Sequence, residues 1–109
     1  MAKTSSLTHQ LLAFRNERDW AQFHNPKDLD IALSTEAGEL LECFLWKQPH
    51  EAKPEKIREE LADVIAYALL LAHECNLDVT EIVEEKIRLN AEKYPVDKAK
   101  GNAKKYDEL

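Results

Sequence analysis

Apolar residues recur at three- and four-residue intervals in four stretches of the chain, the spacing of one helical face. In the second stretch Leu29, Ala32, Leu33, Leu40 and Cys43 share a stripe. In the third, Ile57, Val64, Tyr67 and Leu71 do so. The pattern predicts helices over about 6–23, 26–47, 54–75 and 79–94, followed by a polar tail over 96–109. The four prolines punctuate these helices. Asn25-Pro26 reads as an N-cap followed by a proline at the first helical position. Pro49 lies just past the second helix, Pro54 just inside the third, and Pro95 stops the fourth. Asp78-Val79-Thr80-Glu81 resembles a capping box with Asp as the cap. No internal repeat, low-complexity segment or linker interrupts the 109 residues. Four helices joined by short loops predict a single all-α domain, residues 1–109, folded as an antiparallel four-helix bundle.

The third helix changes that picture. From Leu61 to Ala72 it is apolar almost all the way round, Asp63 excepted, and such a helix is normally buried on every side. A chain this short struggles to do so alone. The expectation is a homo-oligomer, dimer or tetramer, whose subunits share a core through this helix. The alternative is a central helix wrapped by the other three.

Composition narrows the function. Two glycines and four prolines are too few for several hairpins or a Gly-rich phosphate loop. Charged residues at 33% and hydrophobic ones at 44% describe a globular chain rather than a disordered one. A net charge of −6 speaks against a nucleic-acid coat, so no nucleic-acid partner is expected. Two cysteines make no disulfide scaffold; Cys43 and Cys75 lie on apolar faces and are expected as small buried hydrophobes. Met1-Ala2-Lys3-Thr4-Ser5-Ser6 has no apolar signal-peptide core. The run from Leu61 to Ala72 is far below the ~20 residues that cross a bilayer. A cytoplasmic protein with no membrane partner is expected.

The acids carry the chemistry. Stepping ~100° per residue, Glu36 falls on the core stripe of the second helix, with Glu39 one ridge away. Glu60 falls among Ile57, Val64 and Tyr67, with Asp63 three residues on. The two helices are neighbours across a short connection. Glu39 and Glu36 lie ~12 and ~16 Å from the turn, and Glu60 and Asp63 ~9 and ~14 Å, at 1.5 Å per residue. The four carboxylates are therefore roughly level across one interface, where their charge needs compensation. A multivalent cation supplies it, and an all-oxygen set suits Mg²⁺ or Mn²⁺ rather than zinc. A di-iron bundle needs Glu-x-x-His on two helices, and none of His9, His24, His50 or His73 has Glu three residues earlier. The alternative is that the acids pair with Lys47, Lys56 or Arg58 at a solvated edge.

Glu36-Ala37-Gly38-Glu39 with Glu60-Leu61-Ala62-Asp63 resembles the ExxE…ExxD signature of the MazG-like all-α nucleoside triphosphate pyrophosphohydrolases. Arg18-Asp19-Trp20-x-x-Phe23-His24-x-Pro26, Phe44-x-Trp46-Lys47, Asp63-Val64-x-x-Tyr67 and Lys86-x-x-x-Asn90-x-x-Lys93-Tyr94-Pro95 look like the dCTP pyrophosphatase branch. So does the tail from Lys100-Gly101 to Lys105-Tyr106. The likeness spans about residues 10–107 and departs at Leu11 and Leu12, where some relatives are polar.

The resemblance implies Mg²⁺-dependent hydrolysis of a nucleoside triphosphate, dCTP or modified dCTP, to the monophosphate and pyrophosphate, as nucleotide-pool sanitation. It makes Glu36, Glu39, Glu60 and Asp63 metal ligands and the catalytic set, which agrees with the need of a triphosphate for charge neutralisation. It implies a nucleobase pocket of Trp20, His24, Trp46 and Tyr67, through stacking and edge hydrogen bonds. It implies phosphate contacts from Lys86, Asn90, Lys93 and Tyr94. These lie in a stretch, 86–105, that holds seven bases against two acids. Related enzymes acting on dUTP or phosphoribosyl-ATP stay open, as does a non-catalytic helical interaction protein.

Overall fold

The computed structural model describes residues 3–109; Met1 and Ala2, where the reading of the chain start began, lie outside them. The described residues form helices and no strand, so the chain is all-α, as its spacing predicts. They cluster into two compact units, one running to Leu77 and the other from Asp78 to Leu109.

The first unit holds α1 (Thr4–Glu17), α2 (Pro26–Glu42) and α3 (Pro54–Glu74), with single 3₁₀ turns at Ala21–Phe23 and Pro49–Glu51. Its helix starts follow the sequence signals. Asn25 caps α2 by accepting from the Asp28 N–H at 2.9 Å, and Pro26 and Pro54 sit in the first turns of α2 and α3.

The helix ends differ from expectation, for local reasons. α1 stops at Glu17, not 23. Asp19 takes φ 55, and Trp20 and Asp19 donate back to the Arg15 and Asn16 carbonyls at 2.9 and 3.1 Å. That is a Schellman closure, with Asp in the left-handed position that Gly or Asn usually fills. Asn76, φ 57, closes α3 the same way, with Leu77 donating to Ala72 and Asn76 to His73. α2 ends at Glu42, not 47. Cys43, Phe44 and Leu45 tighten to three-residue hydrogen bonds and Trp46 turns the chain at φ 61. Gln48 is then extended, as a residue before proline prefers.

α3 packs chiefly on α2 and more locally on α1. Leu29 of α2, only 1% exposed, and Leu69, Leu70 and Ala72 of α3 form the core. Arg15 of α1 is buried with them and donates to Glu74 of α3 at 2.7 Å. α3 is not buried on every side. Leu61 and Ile65 are exposed, as are Ile31 and Leu41 of α2. The cysteines are free, Cys43 half-buried and Cys75 exposed. The expectation of two buried thiols fails at Cys75, which is the exposed C-cap of α3.

The second unit holds α4 (Val79–Lys93), α5 (Val96–Ala99) and a 3₁₀ turn at Tyr106–Glu108. Asp78 caps α4 by accepting from the Glu81 N–H at 2.9 Å. The polar tail thus carries local structure of its own.

Candidate metal centre

Glu36, Glu60 and Asp63 each bring a carboxylate oxygen to within 4.8 Å of the others. α2 and α3 supply them from facing turns. Glu36 meets Glu60 and Asp63, while Glu42 and Cys43 share a cleft with Lys53 and Lys56. The residue numbers run in opposite directions, which is the antiparallel register the spacing predicts.

Glu39 is exposed but stands beside both Glu36 and Glu60. Proximity to the Glu39 carboxyl, with which a proton can be shared, is the main reason the Glu36 carboxyl is pushed up to about 7, ahead of burial and the charges of Glu39, Asp63 and Glu60. Glu60 is also raised, by burial first and then by Glu39 and Asp63. The Tyr67 hydroxyl is raised by burial, with Glu36 and Asp63 contributing.

The donor set fits a divalent cation. Glu36 Oε2 and Glu60 Oε2 are buried and accept no hydrogen bond, and a buried oxygen in that state costs free energy until something positive meets it. Among the described residues none of the four acids is in an ion pair, and Lys56 pairs instead with Glu59 of its own helix at 3.9 Å. Pairing with Lys47, Lys56 or Arg58 therefore does not compensate these acids. The carboxylates raise one another's pKa, and an all-oxygen donor set is the kind that a hard cation takes.

Two clefts flank the acids. One, of about 260 Å³, is lined by Leu11, Phe14, Arg15, Trp20, His24, Asp63, Ala66, Tyr67 and Leu70. It brings together three of the four residues expected around a nucleobase, and Asp63 forms part of its wall. Trp20 packs edge-on against Phe14 at 5.8 Å. Arg15 Nη1 lies 3.5 Å from His24 Nδ1. Burial, then Arg15, hold His24 below the ordinary histidine value against the pull of Glu74, which favours a neutral ring. Trp46 is elsewhere. It is 93% exposed and lies outside the lining of this cleft, on the connection after α2. The other cleft, about 410 Å³, is lined by Glu39, Glu42, Cys43, Lys47, Lys53, Lys56 and Glu60.

In the second unit Lys86, Asn90, Lys93 and Tyr94 follow one another along α4 and its C-cap. Tyr106 of the tail packs edge-on to Tyr94 at 6.2 Å, with Lys93 Nζ 4.9 Å from its ring centroid.

The sequence reading missed the Arg15–Glu74–His24 network, because residues this far apart in the chain give no periodic signal. It also treated Lys47 and Lys56 only as partners for the acids. One signal was available: Lys53 and Lys56 stand at the first turn of α3, where a helix disfavours cations.

The chain is similar to known proteins in sequence and in fold. The MazG-like family profile matches residues 31–109. The chain is 41% identical over 104 residues to dCTP pyrophosphatase 1 of Mus musculus, covering 88% of this chain and 61% of that protein. It is 40% identical to the Homo sapiens protein of the same name over 88% and 61%. The chain thus spans about three fifths of the length of the curated relatives it matches. The crystal structure of a pyrophosphatase from Archaeoglobus fulgidus superposes with a TM-score of 0.80 at 33% identity, covering 87% of this chain and 94% of that one. With its paired acids on α2 and α3 and a family match running to its last residue, this chain belongs to the MazG-like family.

Proposed function

We propose that this protein is a Mg²⁺-dependent nucleoside triphosphate pyrophosphohydrolase that cleaves dCTP or a modified dCTP to the monophosphate and pyrophosphate in the cytoplasm. The observation that carries the reading is the pair of buried, unpartnered oxygens on Glu36 and Glu60, beside an aromatic cleft that shares Asp63. The names of the mammalian relatives and of the archaeal structure support the reaction class and the base.

Glu36, Glu39, Glu60 and Asp63 would hold the cation, Mg²⁺ or Mn²⁺. When bound, that cation neutralises the triphosphate and lowers the pKa of a nearby water. The water oxygen bonds to the α-phosphorus as the bond from that phosphorus to the α–β bridging oxygen breaks, and that oxygen leaves with its electron pair on pyrophosphate. The water proton passes to an acceptor within the acidic cluster. Trp20 and Tyr67 present ring faces to the base, and neutral His24 offers an edge hydrogen bond. Leu11, Phe14 and Leu70 exclude water from the sugar and base. Trp46 would stack on the base from a second copy of the chain, since it lies outside its own cleft. On the family resemblance we assign phosphate contacts to Lys86, Asn90, Lys93 and Tyr94.

A homo-oligomer built as a four-helix arrangement with a shared core would cover the exposed Leu61, Ile65, Ile31 and Leu41. The deciding experiment is Mg²⁺-dependent pyrophosphate release across canonical and modified nucleoside triphosphates, dUTP and phosphoribosyl-ATP included. Release that is fastest with cytosine nucleotides is expected. Release from none of them overturns the reading.

A further inference from the structure

We propose that Arg15 is a positioning residue for base selection: it fixes the His24 ring as the tautomer with its proton on Nε2, so that the aromatic cleft offers an N–H donor and selects a pyrimidine whose ring nitrogen 3 is an acceptor. The inference rests on the reading of that cleft as a nucleobase site and adds how one base is told from another.

A local reversal of the chain brings the two side chains together. Arg15 lies in the last turn of α1. Asp19, at φ 55, turns the backbone, and the Trp20 N–H donates to the Arg15 carbonyl at 2.9 Å. The 3₁₀ turn Ala21–Phe23 follows, with His24 as its C-cap. The His24 ring thus returns to Arg15 nine residues on. Both side chains line the cleft of about 260 Å³, with Trp20 and Tyr67.

Arg15 is held firmly. It is 7% exposed, and its Nη2 lies 2.7 Å from Glu74 Oε1 on α3. A guanidinium has donors only, no acceptor, and keeps its charge in a protein. The buried Nε has no partner, so the group has donors to spare. Nη1 lies 3.5 Å from His24 Nδ1. A proton on Nδ1 would set N–H against N–H, whereas a lone pair there meets a donor. A doubly protonated ring is also disfavoured, by burial first and then by the Arg15 charge, against the pull of Glu74. One form remains, with Nδ1 bare and the proton on Nε2. Among the described residues Nε2 makes no hydrogen bond, and it is not one of the buried unpartnered atoms. Its N–H is open to a ligand.

A fixed ring discriminates between pyrimidines. A neutral histidine with nothing on Nδ1 exchanges its tautomers, so it can donate to one base and accept from another. Once fixed, it only donates. Cytosine and its 5-substituted forms carry a lone pair on ring nitrogen 3; uracil and thymine carry N–H there. With that nitrogen against Nε2, cytosine gains a hydrogen bond. Uracil leaves two polar hydrogens unpaired in a cleft walled by Leu11, Phe14 and Leu70, and unpaired buried groups are a strong basis for rejection.

The test has two readings on the full chain. Long-range proton–nitrogen NMR of the imidazole near neutral pH should find the His24 proton on Nε2. Titration calorimetry in Mg²⁺ buffer should find dCMP bound about tenfold or more tighter than dUMP. Arg15→Met should bring that ratio close to one, and Arg15→Lys, again a donor without an acceptor, should restore it. If circular dichroism shows Arg15→Met unfolded, His24→Phe carries the test, since it leaves the Arg15–Glu74 pair in place and should remove the preference as well. A proton on Nδ1, a ratio near one in the wild type, or a ratio that these substitutions leave unchanged overturns the inference. A merely structural Arg15 would lower stability without moving the ratio. Equal pyrophosphate release from dCTP and dUTP keeps the activity reading and removes the inference. Arg15-dependent preference for dCMP in a protein that releases no pyrophosphate supports the inference and removes the activity.

Discussion

Glu36 of α2 and Glu60 of α3 each bury one carboxylate oxygen, Oε2, that no donor reaches, and both carboxyls lie within one 4.8 Å cluster with Asp63. Without a cation this arrangement destabilises the fold; with one, it is a binding site. Replacing Glu60 by Gln separates the two roles. Glu60→Gln should remain helical and melt higher than wild type in chelator. It should lose the rise in Tm that Mg²⁺ gives the wild type, and pyrophosphate release should fall about a hundredfold or more, since cation stabilisation of a transition state is worth several kcal/mol. Thermal scans with and without Mg²⁺ check the first pair of outcomes. Full activity in this variant would rule out the metal assignment.

The pH dependence of the metal-free protein follows from Glu36. Its folded-state value of about 7 lies above the ordinary 4.5, so between those values the folded state binds more protons than the unfolded chain. Stability contributed by this group therefore falls as pH rises from about 4.5 to about 7. In chelator, Tm should drop across that window. Added Mg²⁺ should raise Tm more at pH 8 than at pH 5.5, because protons compete for the same carboxylates. An equal Mg²⁺ effect at both values would contradict the assignment.

Arg15 joins α1 to α3 through Glu74 at 2.7 Å, with side chains 8% and 27% exposed. Arg15→Met should destabilise the protein by about 2–4 kcal/mol, the cost of leaving a largely buried partner unpaired, seen as a lower denaturant midpoint. It should also raise the His24 pKa, since the guanidinium lowers it and Glu74 raises it. Proton NMR of the imidazole reads that shift directly.

The aromatic cleft predicts a split in kinetics. Trp20→Ala and Trp46→Ala should raise KM with little change in kcat, because stacking holds ground and transition states alike. Trp20→Ala should act in a monomer and an oligomer alike, whereas the effect of Trp46→Ala should disappear where subunits dissociate.

Leu61 and Ile65 are exposed on α3. Leu61→Glu/Ile65→Glu should shift the protein to a smaller species in light scattering while leaving a single chain helical. A wild type that is already monomeric at micromolar concentration would remove the shared-core proposal.

The amino-acid sequence by itself determined the helices and the register of the acids. Asn25 and Asp78 cap α2 and α4 where they were expected to, because capping is a local hydrogen bond. Glu36 meets Glu60 and Asp63 because a short connection and a fixed rise leave little freedom in pairing two antiparallel helices. Tertiary structure decided what depends on contacts remote in the chain or on local backbone reversal. Left-handed Asp19 and the turn at Trp46 shortened α1 and α2, a choice side-chain periodicity does not encode. Trp20, His24 and Tyr67 gathered round one cleft while Trp46 stayed outside it. Lys53 and Lys56 look like ordinary surface charges in the sequence. Only the folded chain sets them in one cleft with Glu39 and Glu42 of α2, since residues of two helices meet through positions in space.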